Sequence, residues 1–111
     1  VRDYIHVVDL AVGHVLAVKK LLDKSGLYVV NLGTGRGYSV LEVIKAFSKA
    51  AGRDIPYEIV ARRPGDIAEC YADTALAEKM LGFKATRTID DMCRDALNWQ
   101  LKNPDGYGDK E

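Results

Sequence analysis

Ser39-Val40-Leu41-Glu42 restricts the folding of this chain more than any other short stretch. The Ser hydroxyl can accept a hydrogen bond from a free first-turn amide, and the Glu carboxylate can reach back to the Ser amide. A helix is therefore expected to open at this point. Val40, Val43, Ile44, Phe47 and Ala51 share one face of it, and Gly52 ends it. Before the capping residues lie a Gly33-Thr34-Gly35-Arg36-Gly37 turn and a β-prone run, Leu27 to Leu32. After the helix, Pro56 to Ala61 reads as a second strand, Arg62 to Gly65 as a charged turn and Asp66 to Ala72 as extended chain. Strand, helix, strand from Leu27 to Ala61 suggests a single βαβ unit, so the class is α/β.

Three further helices are expected. From about Val7 to Leu22, the residues Val8, Ala11, Val12, Val15 and Leu22 recur at helical spacing, and Ser25-Gly26 stops the run. A short helix runs from about Thr74 to Leu81. The last starts near Thr88, with Asp91 as the reciprocal cap. It carries Ile89, Met92, Cys93, Ala96 and Trp99 inward and stops at Asn103-Pro104. Asp105 to Glu111 is glycine-rich, polar and expected to be loose.

A chain of 111 residues, 48% hydrophobic and 29% charged, suits one domain. Sixteen basic residues balance sixteen acidic ones, so no net field draws it to nucleic acid or anionic lipid. Cys70 and Cys93 have no second metal-ligand pair nearby, and His6 and His14 lack the close partners of a zinc site. A reduced, cytoplasmic protein is the economical reading. No unbroken apolar run is long enough to span a bilayer. The chain begins at Val1, without Met, directly in a patterned segment, and is expected to be a piece of a longer protein.

Three segments could carry chemistry. The glycine-rich loop has a strand-to-helix setting, but Tyr38 stands where a dinucleotide fingerprint needs its third glycine, and no P-loop ending follows. A tight turn is the better reading, with ligand contact from the loop or Val40 left open. Arg62-Arg63-Pro64-Gly65-Asp66 makes a rigid corner able to present a guanidinium fork to phosphate oxygens. Asp66 could accept from sugar hydroxyls or pair with an arginine, and the local sequence leans slightly to the internal pair. Arg2-Asp3-Tyr4-Ile5-His6 sets a charged pair and an aromatic just ahead of a helix start. There His6 is expected to be a hydrogen-bonded structural residue. No Tyr is followed four residues on by Lys, and no Gly-x-Ser-x-Gly elbow occurs. Cys70, in a half-apolar stretch, reads as packing.

Together the segments resemble the UDP-glucose 4-epimerase family. Val1 to Val7 followed by Asp9-Leu10-Ala11, then Asn31-Leu32-Gly33-Thr34-Gly35 with Tyr38-Ser39-Val40, then Arg62-Arg63 with Gly65-Asp66, appear in the family's order. The ending Trp99-Gln100, Asn103-Pro104 and Gly106-Tyr107 is similar to the family's C-terminus. The resemblance covers essentially the whole chain. It implies an extended short-chain dehydrogenase/reductase. In that architecture an N-terminal Rossmann lobe holds NAD and a Tyr-x-x-x-Lys pair, and a smaller C-terminal lobe grips the UDP-sugar. Residues 1–103 would be that C-terminal lobe, without the Rossmann core, and residues 104–111 a flexible tail.

The chemistry implied is proton abstraction from the sugar 4-hydroxyl and hydride transfer to NAD, then rotation of the keto sugar and hydride return. This chain would contribute none of the catalytic residues. By position, the resemblance makes Arg2 and Arg63 the diphosphate-binding arginines and Asp66 the acceptor of ribose hydroxyls. Tyr4 and Val40 become neighbours of the nucleotide. Cys70 falls where the family carries a bulky Tyr or a small residue beside the sugar, implying room for an N-acetyl group. The Leu27–Leu32 strand would add to the Rossmann sheet. The parent is expected to be a homodimer, and this piece is expected to be inactive alone and prone to self-association. Rivals are another nucleotide-sugar dehydratase or decarboxylase of the superfamily, or a non-catalytic binding module.

Overall fold

The computed structural model describes residues 1–108. Four helices order the chain: α1 (Val7–Asp23), α2 (Val40–Ala51), α3 (Ala75–Leu81) and α4 (Ile89–Lys102). Their ends follow local chemistry. Ser39 caps α2 and Glu42 returns the bond, and Thr88 and Asp91 do the same for α4. Gly52 and Gly82 end α2 and α3 in the left-handed conformation that glycine adopts without a Cβ penalty.

The two expected strands are not strands. Among the described residues the β pairing consists of isolated bridges, Arg2 antiparallel to Tyr38 and Arg2 parallel to Cys70. Leu27 to Leu32 and Pro56 to Ala61 form no ladder, so the βαβ unit is absent and the α/β reading holds only for those bridges. A strand needs a neighbour to take its amides and carbonyls, and a β-prone run cannot supply one by itself. Leu27, Val29, Ile59 and Val60 are largely exposed.

Packing is uneven. Helix α2 lies against α4, with Ala46 and Cys93 buried and a Lys49–Asp90 pair of 3.7 Å at the rim. Helix α1 meets α3 more lightly. There Phe83 and Leu32 press against Gly13, where a Cβ would lie 2.7 Å from Leu32 Cδ1 and 3.3 Å from Phe83 Cε2. Only glycine lets both side chains approach the helix so closely. The expected apolar stripe of α1 is not buried: Val8, Val12, Val15 and Leu22 face outward, while Asp9 and Gly13 are the residues inside. On α4, Cys93 is buried and Ile89 and Met92 are half-buried. Ala96 and Trp99 are exposed, contrary to their periodicity. On α2, Val40 is exposed and its expected companions are half-buried. Periodicity marks a face that wants cover, and it does not name the covering element.

The shape reflects this. The radius of gyration is 17.1 Å, against about 13 Å for a self-contained domain of this length. The accessible surface is 8837 Å² for 12.2 kDa, against about 6,100 Å² for a folded monomer of that mass. Beyond α4 the chain turns back: Gly106 N–H donates to the Asn103 carbonyl at 2.9 Å, and Tyr107 meets Trp99 edge-on with centroids 5.8 Å apart. Of the stretch expected to be loose, residues 109–111 lie outside the described residues.

Candidate functional site

The first residues of the chain run between two later segments. Arg2 exchanges backbone hydrogen bonds with Tyr38 at 2.9 and 2.8 Å, and Cys70 N–H donates to the Val1 carbonyl at 3.0 Å. This crossing brings the 62–68 turn beside the start of α2. A concavity of about 240 Å³ results, lined by Val1, Arg2, Tyr4, Val40, Arg62, Arg63, Asp66, Ile67 and Ala68. Five of the six residues singled out in the sequence, Arg2, Tyr4, Val40, Arg63 and Asp66, meet there. Cys70 does not line it. Its backbone completes the crossing, and its side chain is exposed.

Asp66 is the electrostatic centre of the concavity. Arg63 grips it as a fork, Nε to Oδ2 at 3.0 Å and Nη2 to Oδ1 at 3.3 Å. Arg2 approaches from the other side, Nη2 to Oδ1 at 3.5 Å. Arg2 is also fixed at its other nitrogen, where Nη1 donates to the Val1 and Ile67 carbonyls at 2.8 and 3.0 Å. The internal pair favoured by local sequence is therefore present, joined by the guanidinium of Arg2 from the start of the chain. Arg63 is 83% exposed and Asp66 32%, so two positive forks and one carboxylate face solvent with a net positive charge.

Sequence reasoning missed the part played by Asp3. Its Oδ1 accepts from the Thr34 hydroxyl at 2.7 Å and the Thr34 amide at 3.0 Å. Its Oδ2 accepts from the Gly35 and Ala72 amides at 3.0 and 3.2 Å. Burial pushes this carboxyl up, but the Thr34 hydroxyl and the Thr34, Ala72 and Gly35 amides outweigh that and hold it below the ordinary carboxylate range. Two amides of the glycine loop, those of Thr34 and Gly35, are thus already committed to a carboxylate of the same chain. With Tyr38 at the position of the third glycine, the loop does not fit a dinucleotide pyrophosphate.

A second cluster is structural. Asp9, 3% exposed, accepts from the Arg87 guanidinium and amide, both at 2.9 Å, and from the Thr86 amide at 3.2 Å. His6 caps α1, its Nδ1 accepting from the Val8 amide at 3.0 Å. Its Nε2 donates to Asp95 at 2.7 Å, joining the start of α1 to α4. His6 has the structural role expected of it. Every buried side-chain polar atom among the described residues has a partner. The signal that could have found Asp3 and Asp9 is an acidic residue inside an otherwise apolar stretch, where burial demands donors.

No helix among the described residues is long and apolar enough to cross a membrane. The fold belongs with the short-chain dehydrogenase/reductase type. The family model described as GDP-mannose 4,6 dehydratase matches residues 1–96, and the chain belongs to that family. Within it, the chain is similar to UDP-glucose 4-epimerases. That of Bifidobacterium longum subsp. longum is 68% identical over 111 residues, covering 100% of this chain and 32% of the relative. That of Drosophila melanogaster is 57% identical over 112 aligned positions, covering 99% and 32%. A solved epimerase from Stenotrophomonas maltophila, with bound NAD and formylated UDP-arabinopyranose, superposes with a TM-score of 0.88 at 50% identity. That match covers 92% of this chain and 30% of the solved one. The chain spans about a third of the length of these relatives and matches their C-terminal part.

Proposed function

We propose that these residues form the UDP-sugar-gripping lobe of a UDP-glucose 4-epimerase. The complete enzyme would interconvert UDP-glucose and UDP-galactose in galactose metabolism, as a cytoplasmic homodimer using NAD held by a preceding Rossmann lobe. Residues 1–103 are the lobe and residues 104–111 its tail. The observation that carries the reading is the convergence of Arg2 and Arg63 on Asp66 in one concavity. A diphosphate offers the guanidinium forks more charge and more acceptors than one carboxylate does. As it takes them over, Asp66 is released to accept from ribose hydroxyls, with Tyr4 and Val40 beside the nucleotide.

Two further features support a lobe that needs a covering partner. The concavity of about 240 Å³ is smaller than the roughly 300–1,000 Å³ of small-molecule sites. The surplus surface and the outward apolar stripe of α1 are what a docking face leaves uncovered. The piece alone is accordingly expected to be inactive and to self-associate. The long identity with epimerases favours this activity over a dehydratase or decarboxylase of the same superfamily, and over a non-catalytic module.

The test is Arg63→Ala in the complete enzyme. One charge-assisted contact contributes about 1.5–3 kcal/mol; at the lower end KM for UDP-glucose rises roughly tenfold. An unchanged KM overturns the assignment. The small Cys70 extends the reading to UDP-N-acetylglucosamine and UDP-N-acetylgalactosamine. Wild type is expected to turn over the acetylated sugar and Cys70→Tyr to lose that activity while keeping UDP-glucose. Wild type inert toward the acetylated sugar refutes the extension.

A further inference from the structure

Arg2 and Tyr4 line the concavity, and the residue between them does not. In extended chain alternate side chains point to opposite sides, so Asp3 faces away from the site and into the loop behind it. There its carboxylate binds the amides of Thr34, Gly35 and Ala72 and the Thr34 hydroxyl. Thr34 Oγ in turn accepts from the Arg36 amide at 3.1 Å, which closes the loop on itself. The fit leaves no slack: a Cβ on Gly33 would lie 2.6 Å from Asp3 Oδ2 and 2.7 Å from the Ala72 Cβ.

These three attachments are the segments that carry the site. Asp3 itself fixes Arg2 and Tyr4. The loop leads through Tyr38 and Ser39 to Val40 at the start of α2. Ala72 ends the arm that carries Asp66 and Cys70. We propose that Asp3 is a positioning residue for nucleotide-diphosphate binding, setting Arg2 and Tyr4 in register with Val40 and with the Asp66 arm without touching the ligand. This rests on the nucleotide-site reading above and goes beyond it. Asp9 makes a comparable set of bonds, but it fastens α1 to Thr86 and Arg87 and touches no site segment.

The experiment is a double-mutant cycle on the complete protein with UDP as the probe, read by calorimetric titration. Asp3→Asn keeps the size of the side chain but replaces one acceptor oxygen with an amide donor, so the Gly35 or Thr34 contact fails. Expected results are UDP binding weakened about tenfold by Asp3→Asn and about tenfold by Arg2→Ala, with the double variant weakened by clearly less than the product of the two losses. Asp9→Asn, as a comparator, lowers the melting temperature and leaves UDP affinity unchanged. Exchange protection of the Thr34, Gly35 and Ala72 amides falls in Asp3→Asn. Multiplying losses in the double variant, or unchanged UDP affinity in Asp3→Asn despite lost amide protection, overturns the proposal and leaves Asp3 a fold clamp. Arg63→Ala distinguishes the two failures. If it weakens UDP while Asp3→Asn does not, only the positioning role falls. If neither Arg63→Ala nor Arg2→Ala moves UDP affinity, the nucleotide reading falls and this proposal with it.

Discussion

Asp9 and Asp66 both face arginine, and their surroundings make them opposites. Around Asp9 the donors are two backbone amides, a threonine hydroxyl and one guanidinium, and the carboxylate is 3% exposed. Backbone amides cannot leave, so that cluster is closed. Asp66 is held by two side-chain forks, one of them 83% exposed, and a third of its own side chain meets water. Forks on long stems can exchange one anion for another. A fixed shell of amides makes a fastening, and a movable shell of guanidinium groups makes a candidate binding site.

The contrast predicts unequal responses to truncation. Asp9→Ala strips two part-buried amides and a half-exposed guanidinium of their buried acceptor, so unfolding free energy should fall by ~3 kcal/mol in urea titration. A loss below about 1 kcal/mol, the scale of a surface pair, would erase the distinction. Next comes pH. The folded carboxyls of Asp9 and Asp3 sit below their unfolded values, because hydrogen bonds outweigh burial at both. Their stabilisation is complete above the unfolded value of about 3.9 and is lost as pH falls through the lowered folded values. Urea midpoints should be flat from about pH 7 to 5 and drop below about pH 4, with a shallower drop in Asp9→Asn. Equal slopes in both proteins would remove Asp9 from the acid transition. The smallest effect is expected at Asp66. Asp66→Ala should change stability by under about 1 kcal/mol, a result within reach of the same titration, and a larger loss would make Asp66 a second fastening.

Legibility followed the distance over which each interaction acts. The α2 and α4 caps pair residues three apart, and both were readable. Gly52 at the end of α2 was readable for the same reason, since left-handed backbone is a property of one residue. The Leu27–Leu32 and Pro56–Ala61 runs misled, because β propensity describes a willingness to pair and these segments have no ladder here. The α1 stripe misled in the same way. The convergence of Arg2, Tyr4, Val40, Arg63 and Asp66 was anticipated through family resemblance, since no local pattern joins residue 2 to residue 66. The clamping roles of Asp3 and Asp9 are not legible locally, because their partners lie 31 to 78 positions away.

From sequence alone come the four helices, their caps and stops, the failure of the glycine loop as a dinucleotide fingerprint and the membership of a recognisable family. Each rests on contacts within a turn or two, or on the order of motifs along the chain. Tertiary structure alone decided which charges are closed in and which stay open, which apolar faces find cover, and that Asp3 ties three distant segments together. Those outcomes depend on where remote backbone amides end up in space, and a donor's position relative to an acceptor dozens of residues away is written in no local pattern.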